Sequence, residues 1–186
     1  MADLMKLPDN LPVPEDDGAC KHLPGKELPG LALPSTAGRQ VRLDEVSKSL
    51  AVFFFYPRSG RPGVAIPESW NEIPGARGCT PHSCAYRDHH EEFRSLGATV
   101  FGVSSQDTEY QRELVSRNAL PYEILSDAEF RLTDALRLPT FVFEGTRLIK
   151  RLALVTKKGR IVKVFYPVFP PDKNAETVLT WLRREA

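Results

Sequence analysis

Leu50-Ala51-Val52-Phe53-Phe54-Phe55-Tyr56 is a continuous apolar and aromatic run that stops at Pro57. A strand with one wet face alternates apolar and polar residues. An unbroken run this short, closed by proline, reads as a central strand covered on both faces. Beyond it, from Arg58 to Gly78, the chain carries Gly60, Pro62, Gly63, Pro67, Pro74, Gly75 and Gly78, which leave no room for a regular element. A loop that long in a compact domain is uncommon and often functional. It ends at Cys79.

A helix is expected next. Thr80 can N-cap it, and Pro81 is tolerated in a first turn. Its apolar stripe is Tyr86, His89, Phe93 and Leu96, stopped by Gly97. A strand (Ala98 to Ser104), a helix (about Thr108 to Asn118), a strand (Tyr122 to Leu125) and a short helix (Ala128 to Leu136) follow. Leu152 to Thr156 and Ile161 to Tyr166 flank Lys157-Lys158-Gly159, a hairpin signal. Asn174 to Arg184 closes the chain as a helix with Val178, Trp181 and Leu182 inward. On the N-terminal side, Leu31 to Leu43 reads as a hairpin about a Gly-centred turn. Met1 to Gly30 is Pro-rich and weakly patterned, an extended arm laid over the domain. Strands alternating with helices, then a hairpin and a terminal helix, predict an α/β sandwich with a mixed sheet. The expected organisation is one domain over residues 1–186, with the arm at about 1–30.

Composition narrows the function. The 25 basic and 24 acidic side chains leave a formal charge of +1, with no basic stripe for nucleic acid and no acidic tail. With 41% hydrophobic and 26% charged residues the 186-residue chain is ordinary for a folded soluble protein and long enough for a sizeable core. Its longest apolar run, Leu50 to Tyr56, is far too short to span a bilayer. Met1 to Pro14 lacks an apolar h-region, so no secretory signal is expected and the protein reads as cytoplasmic. Three cysteines, Cys20, Cys79 and Cys84, are too few for a disulfide-stapled scaffold. In a reducing compartment the close pair points to redox chemistry or to a metal.

Cys79 falls between a strand-following loop and a helix N-terminus, where the helix dipole and free backbone N–H groups favour a thiolate. Most free cysteines are small buried thiols, but a Gly78-Cys79-Thr80-Pro81 turn at a helix start argues for the nucleophilic role. Cys84 lies five residues on. In an intact helix such Cα atoms are about 8 to 9 Å apart, whereas a disulfide needs roughly 7 Å or less. The two thiols can bridge only if the first helical turn unwinds.

The stretch Cys79-Thr-Pro-His-Ser-Cys84-Ala-Tyr-Arg87-Asp88 resembles the peroxiredoxin family, in particular its peroxiredoxin Q (bacterioferritin comigratory protein) branch, in which a resolving cysteine follows the peroxidatic one by five residues and an Arg-Asp comes after. Phe53-Phe-Phe-Tyr-Pro57, Phe101-Gly-Val-Ser-Ser105, Leu120-Pro-Tyr-Glu-Ile-Leu-Ser-Asp127 and Arg151-Leu-Ala-Leu-Val-Thr-Lys-Lys-Gly159 match further family segments in order, over about residues 28 to 166.

The resemblance implies a thioredoxin-like fold of the peroxiredoxin type, a mixed central sheet flanked by helices. It also implies a thiol peroxidase that needs no cofactor or metal. Cys79 would attack hydrogen peroxide or an organic hydroperoxide, Cys84 would resolve the sulfenic acid as a disulfide, and a thioredoxin-type protein would reduce it. The chain would act as a monomer or homodimer, without nucleic acid or membrane. Arg151 would stabilise thiolate and leaving oxygen.

The sequence departs from the family at Pro-x-x-x-Thr-x-x-Cys. Without gaps, the Thr and Pro slots hold Ala76 and Glu72; the better match is Pro57 and Ser59, with an insertion of roughly Gly60 to Arg77. Ser59 would then supply the hydroxyl, and Pro57 and Thr80 would contribute to the substrate site.

Two other functions fit parts of the pattern. A thioredoxin-like dithiol oxidoreductase would use Leu138-Pro139-Thr140-Phe141 as the Pro-containing turn, although its cysteines are spaced C-x-x-C. A zinc module would draw on Cys79, His82, Cys84 and His89 or His90. His89 falls on the apolar stripe and His90 on a charged face. Cys20 reads as a partly exposed thiol of the arm that could instead resolve Cys79. Phe165-Tyr-Pro-Val-Phe-Pro-Pro171 reads as a packed loop that could also line the substrate entrance or a subunit contact.

Overall fold

The computed structural model describes residues 4–185. In chain order its elements begin with β1 (Ala32–Pro34), β2 (Gln40–Arg42), α1 (Leu43–Val46), β3 (Ala51–Phe55) and α2 (Glu68–Asn71). Then come α3 (Cys79–Asp88), α4 (His90–Ser95), β4 (Thr99–Ser104), α5 (Thr108–Asn118), β5 (Glu123–Ser126) and α6 (Arg131–Leu136). The chain closes with β6 (Thr140–Phe143), β7 (Thr146–Ile149), β8 (Leu152–Lys157), β9 (Arg160–Phe165), a 3-10 turn at Pro171–Lys173 and α7 (Asn174–Glu185).

Five strands form the central sheet in the order β5-β4-β3-β8-β9. β3, β4 and β5 run parallel, and β8 is antiparallel to both β3 and β9. This is the mixed sheet of a thioredoxin-like fold, with the aromatic run of β3 at its centre. Every residue of β3 is buried because the period-2 alternation feeds two cores. Phe53 and Phe55 face one side with Phe101, Leu154 and Leu132. Val52, Phe54 and Tyr56 face the other with Tyr86, Phe93 and Val178. The neighbours of Phe54 across the sheet are Gly102 and Ala153. A Cβ at Gly102 would come within 3.0 Å of Phe54 Cζ. The space those small residues leave lets the Phe54 ring stack on Tyr86, centroids 4.2 Å apart and planes 7° from parallel, which seats α3 on the sheet.

The arm is part of the first core. Leu23 and Leu28 are buried in it, and backbone bonds Gly25 N to Ile161 O (2.7 Å) and Ile161 N to Lys26 O (2.8 Å) stitch the arm to β9. Farther back, the Asp17 carboxylate accepts from Lys150 Nζ and from the Tyr166 hydroxyl.

Several expectations need correction. The segment Arg58 to Gly78 does hold an element, α2, because Pro67 starts a single helical turn that buries Trp70 against Phe143 and Leu148 of the β6–β7 hairpin. Thr140 and Phe141 of the Leu138-Pro139-Thr140-Phe141 stretch open that hairpin, and Leu138-Pro139 lead into it. The helix after Cys79 is two helices that meet at His89, where φ −101° and ψ 8° break the ladder. His89 is not a core histidine: it is half-exposed and pairs with Glu92. Cys20 is buried, not partly exposed, because it packs with Leu23 in the first core; burial pushes its thiol up to about 12. Trp181 is half-buried at the edge of the second core, its ring against Phe165.

Candidate active site

The end of β3 and the start of α3 converge on one cleft. Cys79 is the first residue of α3, and the residue before it, Gly78, sits at φ +100°, a left-handed conformation that glycine adopts without steric cost. A Cβ there would also lie 2.6 Å from both Leu7 Cδ2 and Pro171 Cγ. Only glycine lets the arm and the C-terminal tract close on the helix start while the chain turns into α3. The helix therefore begins two residues earlier than Thr80 capping predicts, with Gly78 and not Thr80 at the cap position and no side-chain cap, and Thr80 instead lines the cleft.

The cleft holds about 420 Å³. Its lining includes Cys79 and Thr80, Ser59 and Gln106, and Ile66 and Trp70 of the insertion. Cys79 is 4% exposed and Arg151 3%. Arg151 stands directly before β8, in line with β3. It donates from Nη2 to Cys79 Sγ at 3.2 Å, so the two residues the family resemblance pairs are in contact. The rest of the guanidinium is fixed by the insertion's last turn: Nε donates to Gly75 O (3.1 Å), Nη2 also to Ala76 O (3.1 Å) and Arg77 O (3.2 Å). Nη1 donates to His82 Nδ1 at 2.7 Å.

His82, which the sequence offered only as a candidate zinc ligand, is part of the site through Arg151. It is wholly buried, edge-on to Phe54, and burial together with the Arg151 charge holds its imidazole well below the usual histidine range. Its Nε2 faces Asn174 Oδ1 at 3.0 Å. Both ring nitrogens are engaged, so His82 is no zinc ligand. Among the described residues no three His, Cys, Asp or Glu side chains gather to hold a metal.

The other predicted residues divide. Ser59 is buried and lines the cleft, but its hydroxyl donates to Gln106 Oε1 (3.2 Å), not to the thiol. Gln106 Nε2 returns a bond to Ser59 O (3.2 Å), so that strand end is tied to the segment before α5. Pro57 is buried and does not line the cleft, although its neighbours Arg58 and Ser59 do. Ala76, in the ungapped threonine slot, reaches the site through its carbonyl, which accepts from Arg151 and from Cys79 Sγ (3.6 Å). Cys84 is buried one face away. Its Sγ contacts Asn118 Oδ1 (3.7 Å) and Met5 Sδ (3.9 Å), and burial pushes its thiol up. All three cysteines are free thiols.

Comparison with known proteins places the chain in a family. The chloroplastic peroxiredoxin Q of Gentiana triflora is 28% identical over 185 residues, 97% of this chain and 78% of that protein. Peroxiredoxin Bcp of Bacillus subtilis (strain 168) is 29% identical over 160 residues, 84% of this chain and 92% of that protein. The crystal structure of the peroxidoxin BcpB from Mycobacterium tuberculosis matches with a TM-score of 0.72 at 25% identity, covering 89% of this chain and 99% of that one. The Redoxin family model matches residues 23–179, most of the chain and all of the site described above, and the protein belongs to the Redoxin family.

Proposed function

We propose that the protein is a thiol peroxidase whose nucleophile is Cys79. The observation that carries this reading is the Arg151 guanidinium 3.2 Å from a sulfur at the first residue of a helix, in the lining of a cleft. A fixed cation beside the sulfur complements the negative charge carried there during attack. The same cation can follow negative charge onto the departing oxygen.

The thiolate attacks the nearer oxygen of a hydroperoxide. The S–O bond forms as the O–O bond breaks, leaving sulfenic acid on Cys79 and an alkoxide or hydroxide that takes a proton from water. Ser59 and Thr80 line the cleft, and their hydroxyl oxygens can accept a bond from the peroxide, Ser59 while donating to Gln106. Hydrogen peroxide and organic hydroperoxides both fit a cleft with the apolar wall of Ile66 and Trp70. The Cys84 thiol then displaces the sulfenic oxygen as water, and a thioredoxin-type dithiol protein reopens the disulfide by exchange.

The test is mass mapping after one equivalent of peroxide, alongside peroxide consumption by wild type and Cys79→Ser. Stoichiometric consumption by wild type, with a Cys79–Cys84 linkage, is expected. Consumption by Cys79→Ser, or turnover of protein disulfides without any of peroxide, would overturn the reading.

A further inference from the structure

We infer that Asn174, the first residue of α7, is a positioning residue: acting through His82, it holds the Arg151 guanidinium against the Cys79 sulfur. The inference rests on the peroxidase reading for its consequence, but its geometry stands alone.

A guanidinium only donates hydrogen bonds. His82 Nδ1, 2.7 Å from Arg151 Nη1, must therefore present its lone pair. A neutral imidazole has one N–H, which then sits on Nε2 and points at position 174. That requires Asn174 to turn its oxygen, not its NH2, toward the ring, at 3.0 Å. The Tyr86 hydroxyl donates to the same Oδ1 at 2.7 Å and fixes the amide in that sense. His82 and Tyr86 are fully buried and Asn174 is 4% exposed, so no water can substitute for any of these bonds.

Without the oxygen at 174, the Nε2–H would be buried and unsatisfied. The imidazole would gain by turning, or by shifting its proton to Nδ1, where it would meet the Nη1–H head-on. Either change releases the edge of the guanidinium that backbone carbonyls do not hold. Burial and the Arg151 charge both keep the ring neutral, so the positive charge stays on the group that touches sulfur.

Three single variants and one double variant test this: Asn174→Leu, Tyr86→Phe, His82→Phe, and His82→Phe with Asn174→Leu. The readouts are the single-turnover rate of the reduced protein with peroxide, the rate of Cys79 alkylation by iodoacetamide, the ultraviolet absorbance of the thiolate, and thermal unfolding. Asn174→Leu should slow the peroxide step about tenfold, as expected for a reacting group set slightly out of place. Alkylation should slow by a comparable factor and the thiolate absorbance should fall. In the His82→Phe background, adding Asn174→Leu should change the peroxide rate less than about twofold, because the path to Arg151 is already cut.

A folded Asn174→Leu protein with the wild-type rate overturns the inference. So does an effect that persists in full without His82, which would make the residue merely structural. Tyr86→Phe keeps the ring and removes only the hydroxyl; if Asn174→Leu does not fold, a wild-type rate in Tyr86→Phe is the overturning result. Alkylation needs no peroxide. A wild type inert to peroxide, with alkylation still slowed in Asn174→Leu, would sink the peroxidase reading and leave the positioning role standing.

Discussion

Cys79 and Arg151 lie 72 residues apart in the chain and 3.2 Å apart in space. Cys79→Ser should abolish the first turnover of peroxide, read as stoichiometric consumption by the reduced protein. Arg151→Met removes the guanidinium in contact with the sulfur and should slow the same step about a hundredfold, as loss of an oxyanion donor does; an unchanged rate would remove Arg151 from the site. Both residues were legible in sequence because each sits in a motif with its own neighbours. His82 was visible only as a candidate zinc ligand, and Asn174 only as the start of a helix. Their bond joins positions 92 apart, and no local spacing records it. Ser59 lines the cleft, but the direction of its hydroxyl depends on Gln106, which no local pattern links to it.

The helix α3 carries both thiols and cannot let them meet while it is intact. Oxidation to the Cys79–Cys84 disulfide should therefore melt its first turn, read as lost amide-exchange protection from about Cys79 to Asp88 while the central strands keep theirs. In the reduced fold Cys84 is turned toward Asn118 and burial keeps it protonated, so resolution waits on that melting. Cys84→Ser should reduce one equivalent of peroxide, then accumulate sulfenic acid and overoxidise under excess, by mass spectrometry. Gly78 sets where this helix begins. Gly78→Ala adds about 1 to 3 kcal/mol of backbone strain at φ +100°, besides the collision with Leu7 and Pro171, and should lower the denaturant midpoint accordingly. The long elements were readable from periodicity. The insertion was not: its one helical turn exists because Trp70 is buried against a distant hairpin, and a glycine- and proline-rich composition conceals such a turn.

Across the molecule, the neutral buried imidazole ties stability to pH. Folded His82 resists protonation, whereas in the unfolded chain it binds a proton below its ordinary value of 6.5. The unfolded state then holds more protons, so stability falls as pH falls below that value, by about 1.4 kcal/mol per unit until the folded group titrates. Between about pH 6.5 and 5 the wild type should lose more stability than His82→Gln, by at most about 1.6 kcal/mol, in denaturant titrations at both pH values. The arm is a second whole-molecule feature. Leu23 is fully buried in the first core, and Leu23→Ala should cost about 2 to 5 kcal/mol despite lying in a segment with no strand or helix.

Leu7 and Pro171 close on Gly78 from opposite ends of the sequence, and the partners of Cys79 come late. At a synthesis rate of about 5 to 20 residues per second, the cysteine leaves the ribosome's catalytic centre roughly 4 to 14 s before Arg151 does, and longer before Asn174. Throughout that interval its thiol has neither guanidinium nor clamp. On the positioning role proposed above, a chain interrupted before α7 would carry Cys79 and Arg151 without the Asn174 that steadies them.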